Sequence, residues 1–219
     1  MKSGRAFPSL VEGVRSALIS DSLDATGIFD MVMQREILPI DQRSSVCGIA
    51  RTIEFIPSEE YDIADPYGDA INFLDNLQEG DVAIVATANS IRSAFWGELF
   101  SAAAKGRGAH GVICDGPVRD TAEILKLNFP VFANGTLPLD YKGRMKVTST
   151  HQPVNCGGVT VQSGDFVFGD RDGIAVIPFE KIDEVLSKAN LRASIESNVL
   201  SDLLAGNSVR KVWDKYRVL

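Results

Sequence analysis

The sequence predicts a single α/β domain with a helical C-terminal extension, and three observations lead to this fold class. The first is the length of 219 residues, which suits one compact domain, in a chain without a Pro-, Gly- or Ser-rich linker. The second is a close succession of strand and helix patterns over residues 82–135, which is typical of parallel pairing in a layered core. The third is a series of short strand patterns separated by Gly-rich turns over residues 146–178, which indicates an antiparallel section.

The N-terminal part begins with a predicted helix in SLVEGVRSALISDSLDATG, which Gly27 is placed to end. Its apolar residues recur at helical spacing: Leu10, Val14, Leu18 and Leu23. A strand, SVCGIARTIEF, follows. The segment AINFLDNLQEGD is predicted as a short helix closed by Gly80, and it leads into the strand VAIVAT.

The middle of the chain has the most regular pattern. WGELFSAAAKGRG is an Ala-rich helix that glycines stop, and AHGVICDG is a buried strand. RDTAEILKL is a second helix and FPVFANG another short strand. These four elements predict the parallel part of the sheet.

The C-terminal part changes from short strands to helices. KVTSTHQPV, GVTVQSGD, FVFGD and GIAVIP are predicted strands, and residues 179–219 form a helical extension of one or two long helices and a tail. An amphipathic extension of this kind can pack on a neighbouring subunit or fold back on its own domain. The pattern leaves both arrangements open.

Charge and cysteine usage restrict the classes of function. The chain has 22 basic and 29 acidic residues, a net charge of −7, which disfavours nucleic-acid binding. The three cysteines are widely separated, as expected of reduced thiols. No apolar signal-peptide core and no run near the roughly 18 apolar residues of a membrane span is present, so we predict a cytoplasmic protein without a membrane partner.

The strongest local motif is CDGPVRD, at the end of a predicted buried strand. In α/β sheets, loops at the carboxyl ends of strands bind ligands. This loop places Asp115, Arg119 and Asp120 within six residues. Alternatively, Asp120 is the N-cap of the following helix and Glu123 completes a capping box.

Gly97 and Glu98 lie at the predicted start of the Ala-rich helix. Free backbone N–H groups and a partial positive charge at a helix N-terminus can hold a carboxylate. Glu98 alone is also typical of an ordinary acidic residue in a first helical turn.

Together, these features resemble the RraA-like family. GELFSAAAKGRGAHGVICDGPVRD is similar to its central signature, in which an acidic residue, twenty intervening residues and Arg-Asp follow one another, as Glu98, Arg119 and Asp120 do here. The resemblance extends over about residues 15–210, through SDSLDATG, CGIARTIEF, FPVFANGT, PVNCGGVTVQSGD and GDRDGIAVIP. The best-studied aldolase pattern has Asp where this chain has Glu98.

The resemblance implies a layered α/β/α fold like that of phosphohistidine swivelling domains, assembled as a homotrimer or homohexamer. It also implies a class II lyase that uses Mg²⁺, Mn²⁺ or another divalent metal on a small 2-oxo acid. The activities are those of 4-hydroxy-4-methyl-2-oxoglutarate and 4-carboxy-4-hydroxy-2-oxoadipate aldolases and of oxaloacetate decarboxylases, which share a pyruvate enolate.

The resemblance assigns site residues as follows. Asp120 would be the only direct protein ligand of the metal, which suits Mg²⁺ because Mg²⁺ keeps several waters. Arg119 would contact the pyruvyl carboxylate and keto oxygens. The helix start at Gly97, with the N–H groups of Glu98, Leu99 and Phe100, would receive the substrate carboxylate.

Two acids would complete the site. Glu98 would hydrogen-bond water on the metal, and Glu196 is the nearest counterpart of an acid that reaches in from an adjacent subunit. A base must remove the C4 hydroxyl proton of an aldol substrate, whereas oxaloacetate needs no such step. Glu196 is alternatively a solvated helix residue.

Other functions are possible on the same scaffold. One is a non-catalytic regulator that binds ribonuclease E, although such relatives generally lack the acidic residue ahead of Arg that Glu98 supplies here. Another is an enzyme acting on a different acid, with Ser93, Phe95 and Trp96 near the pocket mouth. His110 and His151 are too scattered for a zinc site.

Overall fold

The computed structural model describes residues 9–219. Its helices are α1 (Ser16–Asp24), α2 (Gly68–Asp75), α3 (Glu98–Gly106), α4 (Thr121–Leu127), α5 (Ile182–Leu204) and α6 (Val209–Tyr216). Its strands are β1 (Leu38–Pro39), β2 (Val46–Pro57), β3 (Asp81–Ala86), β4 (Gly111–Cys114), β5 (Val131–Ala133), β6 (Met145–Thr150), β7 (Val154–Cys156), β8 (Val159–Val161), β9 (Phe166–Asp170) and β10 (Gly173–Ile177).

Eight strands form one mixed sheet in the order β1-β5-β4-β3-β2-β9-β10, with β6 also paired to β2. Strands β2, β3, β4 and β5 are parallel neighbours, while β9, β10 and β6 pair antiparallel. Every residue of β3 and β4 is buried, because helices and a hairpin cover both faces. The predicted α/β class with a mixed sheet and C-terminal helices is confirmed.

Three apolar clusters hold these layers together. Helices α2, α3 and α4 cover one face, where Phe73, Ala104 and Ile124 are buried. The β7–β8 hairpin covers the other face of the parallel strands with residues such as Val161. Helices α1 and α5 pack on β9 and β10 around Ile19, which is fully buried.

The C-terminal extension was predicted either to fold back on its own domain or to pack on a neighbouring subunit. Helix α5 folds back on its own domain and packs against α1, where Arg192 forms an ion pair with Asp21 at 3.1 Å. Apolar residues still project from α5 into solvent: Leu191, Leu200 and Leu204. Within residues 9–219, no helix combines the length and apolarity that crossing a membrane requires.

One predicted helix start is wrong, and one strand was missed. Helix α1 begins only at Ser16, so Leu10 and Val14 precede it, because the chain turns at Gly13 with a φ of +89°. Strand β1 was not predicted, since its two residues are too few for a recognisable period.

Candidate active site

Loops at the carboxyl ends of the parallel strands interlock through their backbones. The Phe95 N–H after β3 donates to the Pro117 carbonyl after β4 at 3.0 Å, and the Arg119 N–H donates to the Trp96 carbonyl at 2.9 Å. The Ala94 N–H donates to the Leu139 carbonyl, in the loop after β5, at 2.7 Å. The loops therefore form one hydrogen-bonded rim around a cavity.

The buried Asp115 carboxylate stabilises this rim through hydrogen bonds. Its side chain is 1% exposed, and Oδ1 accepts the N–H and the hydroxyl of Thr87, each at 2.7 Å. The backbones of Asn89 and Gly157 also donate to the carboxylate. Burial raises the pKa of Asp115 more than these hydrogen bonds lower it. Asp115, which the sequence motif had singled out, therefore makes structural contacts. It links the ends of β3 and β4 to the β7–β8 turn.

Asp120 stands at the N-cap of α4, but its side chain does not cap that helix. Its backbone is left-handed, with a φ of +57°, and Oδ2 faces α3, where the Glu98 N–H lies 3.4 Å away. Glu123 pairs with Lys126 instead. The capping-box alternative is therefore wrong, and the carboxylate is left facing the cavity.

Gly97 makes this approach possible. A Cβ atom at Gly97 would lie 2.7 Å from Asp120 Oδ2 and 3.1 Å from Arg119 Cγ. Only a residue without a side chain lets the start of α3 lie against the Arg-Asp pair. The motifs that the sequence separates by twenty residues are adjacent in space.

Arg119 lies between two carboxylates. Its Nε is 3.7 Å from Asp120 Oδ2, and an Nη atom is 3.6 Å from Asp140 Oδ2. The Arg119 side chain is 37% exposed and Asp120 is 45% exposed, whereas Asp140 is 26% exposed. Solvent and small molecules can reach the guanidinium.

These residues line a cavity of about 230 Å³. One wall is polar, formed by the Arg-Asp pair and Asp140, and the rest is largely aromatic or aliphatic. Of the predicted mouth residues, Ser93 is buried outside the lining, while Phe95 and Trp96 line the cavity from the core at 1% and 3% exposure. The exposed rim contains Leu99 and Ile71 instead.

The predicted acids lie in different places. Glu98 begins α3 next to Asp120, with a half-buried side chain. Glu196 lies on α5, where it accepts hydrogen bonds from Arg15 and Arg192, and it lines a different groove. Within one chain the structure therefore brings together Gly97, the backbone of Glu98, Arg119 and Asp120. The Glu98 side chain does not line the cavity, and Glu196 lies in the other groove.

Sequence reasoning missed Asp140 and Tyr67. The Tyr67 hydroxyl donates to Asp140 Oδ2 at 2.5 Å, across 73 positions of the chain. Burial raises the pKa of Asp140. Hydrogen bonds, chiefly that of Tyr67, and the nearby Arg119 charge lower it by more than burial raises it, so the pKa of Asp140 lies below its usual value. No spacing rule links these positions; LPLDYKG, an acidic residue in a loop after a strand, was the available signal.

The histidines and cysteines lie outside the polar wall of the cavity. His110 contacts the Cys47 carbonyl through Nδ1 at 2.9 Å, and His151 lies 5.8 Å from the Phe73 ring. Burial raises the pKa of the Cys114 thiol, which is fully buried as predicted. Residues 9–219 contain no cluster of three or more His, Cys, Asp or Glu side chains that could hold a metal.

The fold and site define a small α/β protein with an Arg-Asp pair opposite a helix N-terminus. Comparison with known proteins agrees: the model of the RraA-like family (Aldolase/RraA) matches residues 16–176. The chain belongs to the RraA-like family.

Two relatives illustrate the range of the family. A candidate 4-hydroxy-4-methyl-2-oxoglutarate aldolase from Halalkalibacterium halodurans is 31% identical over 80% of this chain and 78% of that protein. Protein DlpA of Legionella pneumophila is 30% identical over 96% of this chain, which spans only 34% of the length of DlpA.

A solved structure supports the fold. Streptomyces coelicolor RraAS2, described as an unusual member of the RNase ES inhibitor RraA protein family, superposes with a TM-score of 0.78. It is 28% identical and covers 88% of this chain and 97% of its own.

Proposed function

We propose that this chain is a divalent-metal-dependent carbon–carbon lyase that cleaves a 2-oxo acid through a pyruvate enolate. Its activity would be of the 4-hydroxy-4-methyl-2-oxoglutarate or 4-carboxy-4-hydroxy-2-oxoadipate aldolase and oxaloacetate decarboxylase type. The observation that carries the proposal is the placement of Arg119 and Asp120 against the N-terminus of α3, around one open cavity. Relatives named as candidate aldolases favour the same class.

The donor set fits a divalent cation held by one carboxylate. Asp120 is exposed, aims away from its own helix and faces the cavity, so it can bind a cation that keeps most of its waters. Arg119 is flanked by two carboxylates, which leave this wall with a net charge of −1. An anionic substrate would be repelled there unless a cation joined Asp120. Once bound, such a cation would supply Lewis-acid charge at the keto oxygen.

The chain's own groups would do the remaining work. Arg119 would bind the pyruvyl oxygens and stabilise negative charge as the enolate forms. The N–H groups of Leu99 and Phe100, which have no intrahelical partner in the first turn, would hold the substrate carboxylate. Glu98, with Glu196 from a neighbouring subunit, would assist removal of the C4 hydroxyl proton in aldol cleavage.

The test is pyruvate release from oxaloacetate and from 4-hydroxy-4-methyl-2-oxoglutarate, with Mg²⁺ or with a chelator. We expect Mg²⁺-dependent turnover by the wild type and its loss in Asp120→Ala and Arg119→Ala. Arg35→Ala is the matched control, because that side chain is 93% exposed and far in sequence from the motif. No turnover of either compound above the Mg²⁺-only background would refute both activities and favour the ribonuclease-regulator alternative.

A further inference from the structure

Asp140 and Asp120 contact different nitrogens of the Arg119 guanidinium. The two separations, 3.6 and 3.7 Å, exceed the roughly 2.7–3.2 Å of an N–H···O hydrogen bond. The carboxylates therefore attract the guanidinium without occupying its N–H donors. Those donors stay available for a ligand in the cavity.

Asp140 is itself held at both oxygens. Oδ2 accepts the Tyr67 hydroxyl at 2.5 Å, and Oδ1 accepts the Lys142 N–H at 3.3 Å. The backbone at Asp140 also forms a parallel bridge to Ala94, in the loop after β3. The carboxylate therefore has a fixed position relative to the rim of the cavity.

The Tyr67 ring is fixed by aromatic packing. It meets the Tyr141 ring edge-on at 5.5 Å, and Tyr141 meets Phe55 of β2 at 5.0 Å. Tyr67 immediately precedes α2, so its backbone is anchored at the start of that helix. Contacts thus run from β2 through the two tyrosines and Asp140 to the guanidinium.

We propose that Tyr67 and Asp140 are positioning residues that hold Arg119 in its substrate-binding orientation. This role rests on the proposed function of the site. If the Asp140 charge were removed, Asp120 would be the only carboxylate still paired with Arg119 among residues 9–219. The guanidinium would then turn toward Asp120. It would no longer be held in its substrate-binding orientation before the substrate arrives.

The experiment compares Tyr67→Phe, Asp140→Asn and the double variant by kcat/KM for pyruvate release, Tm and the NMR signal of the Arg119 Nε–H group. Tyr61→Phe is the matched control, because it also removes a tyrosine hydroxyl from the loop between β2 and α2, and Tyr61 is 46% exposed. We expect kcat/KM to fall about tenfold in Tyr67→Phe and more in Asp140→Asn, as for other residues that orient a ligand-binding group. The Arg119 signal should broaden or shift in both, while Tyr61→Phe resembles wild type.

The double variant separates positioning from mere stability. Because Tyr67 acts through Asp140, its loss should add little once Asp140→Asn is present, whereas independent effects would multiply. Multiplying losses, or a Tyr67→Phe variant as active as Tyr61→Phe with an unchanged Arg119 signal, would overturn the proposal. An inactive wild type would refute the proposed function instead, and the Arg119 signal alone would then decide whether the pair orders the guanidinium.

Discussion

At Gly97 the backbone φ is −156°, which any residue can adopt, so the need for glycine arises from space alone. The nearest obstacle to a Cβ atom is the Asp120 carboxylate, the group proposed to hold the metal. A carboxylate can rotate away at small cost to folding. Substitution at Gly97 should therefore damage the site rather than the fold.

We expect Gly97→Ala to lower kcat/KM by about 10- to 100-fold, since displacement of a reacting group by about 1 Å can cost that much. The Tm should stay close to wild type. Gly106→Ala is the control, because its added Cβ would meet nothing within 4 Å beyond its chain neighbours and its own helix backbone, and it should add about 0.5 kcal/mol of stability. Full activity in Gly97→Ala would show that Asp120 has no fixed role in catalysis.

Arg119, Asp120 and Glu98 drew attention because a strand end and a helix start are local patterns, and the family resemblance then supplied their spacing and roles. Asp140 and Tyr67 could not be found in this way. Their contact depends on where the loop after β5 meets the start of α2, which tertiary pairing alone decides. Local pattern also suggested that the Asp120 side chain caps α4, but it makes no capping hydrogen bond to that helix.

Among the structural elements, the loops after β3 and β4 depend on one buried acid. Asp115→Ala would leave the N–H groups of Thr87, Asn89 and Gly157 without their acceptor. We expect a loss of about 3 kcal/mol in the free energy of unfolding, measured by chemical denaturation, since unsatisfied buried donors cost about 1–3 kcal/mol each. Asp172→Ala is the control, because Asp172 is exposed, and its free energy of unfolding should equal that of wild type. Equal stability of the two variants would contradict this role.

Helix α5 carries Glu196, a predicted site residue that lies away from the cavity. Glu196 is paired with Arg15 and Arg192, and ion pairs at partly exposed sites contribute only about 0–1 kcal/mol. If Glu196 serves a neighbouring subunit, Glu196→Gln should slow aldol cleavage about 100-fold, as expected for loss of acid–base assistance, and spare oxaloacetate decarboxylation.

Glu184→Gln is the control for that comparison, because Glu184 is also on α5 and is paired with Lys181 and Lys188. It should leave both rates unchanged. If Glu196→Gln also leaves both unchanged, Glu196 is only a partner of the two arginines. Rates for the two substrates, measured on the same preparation, decide between these roles.

At the scale of the whole molecule, the order of strands and helices followed from the sequence, since periodicity and Gly-rich turns are dense between β3 and β10. The pairing of β2 did not. Its 12 residues bind β9 with the first half, β6 with the second half and β3 along the other edge. Such sharing of one long strand depends on long-range contacts that no local pattern encodes.

Assembly is a prediction at the same scale. Leu191, Leu200 and Leu204 of α5 stay between 58% and 80% exposed, an apolar surface that association could cover. We expect light scattering after size exclusion to give three or six times the chain mass of 23.7 kDa. A mass of one chain would contradict the predicted trimer or hexamer, and with it the role of Glu196 in a neighbouring site.

The central claim is that Arg119 and Asp120 stabilise a pyruvate enolate, and proton exchange tests it without knowledge of the physiological substrate. Pyruvate in D₂O would be followed by NMR as its methyl protons are replaced by deuterium. We predict catalysed exchange with wild-type protein and Mg²⁺, and none above background with chelator, Arg119→Ala or Asp120→Ala. Exchange no faster than with Mg²⁺ alone, in folded wild-type protein, would contradict the claim.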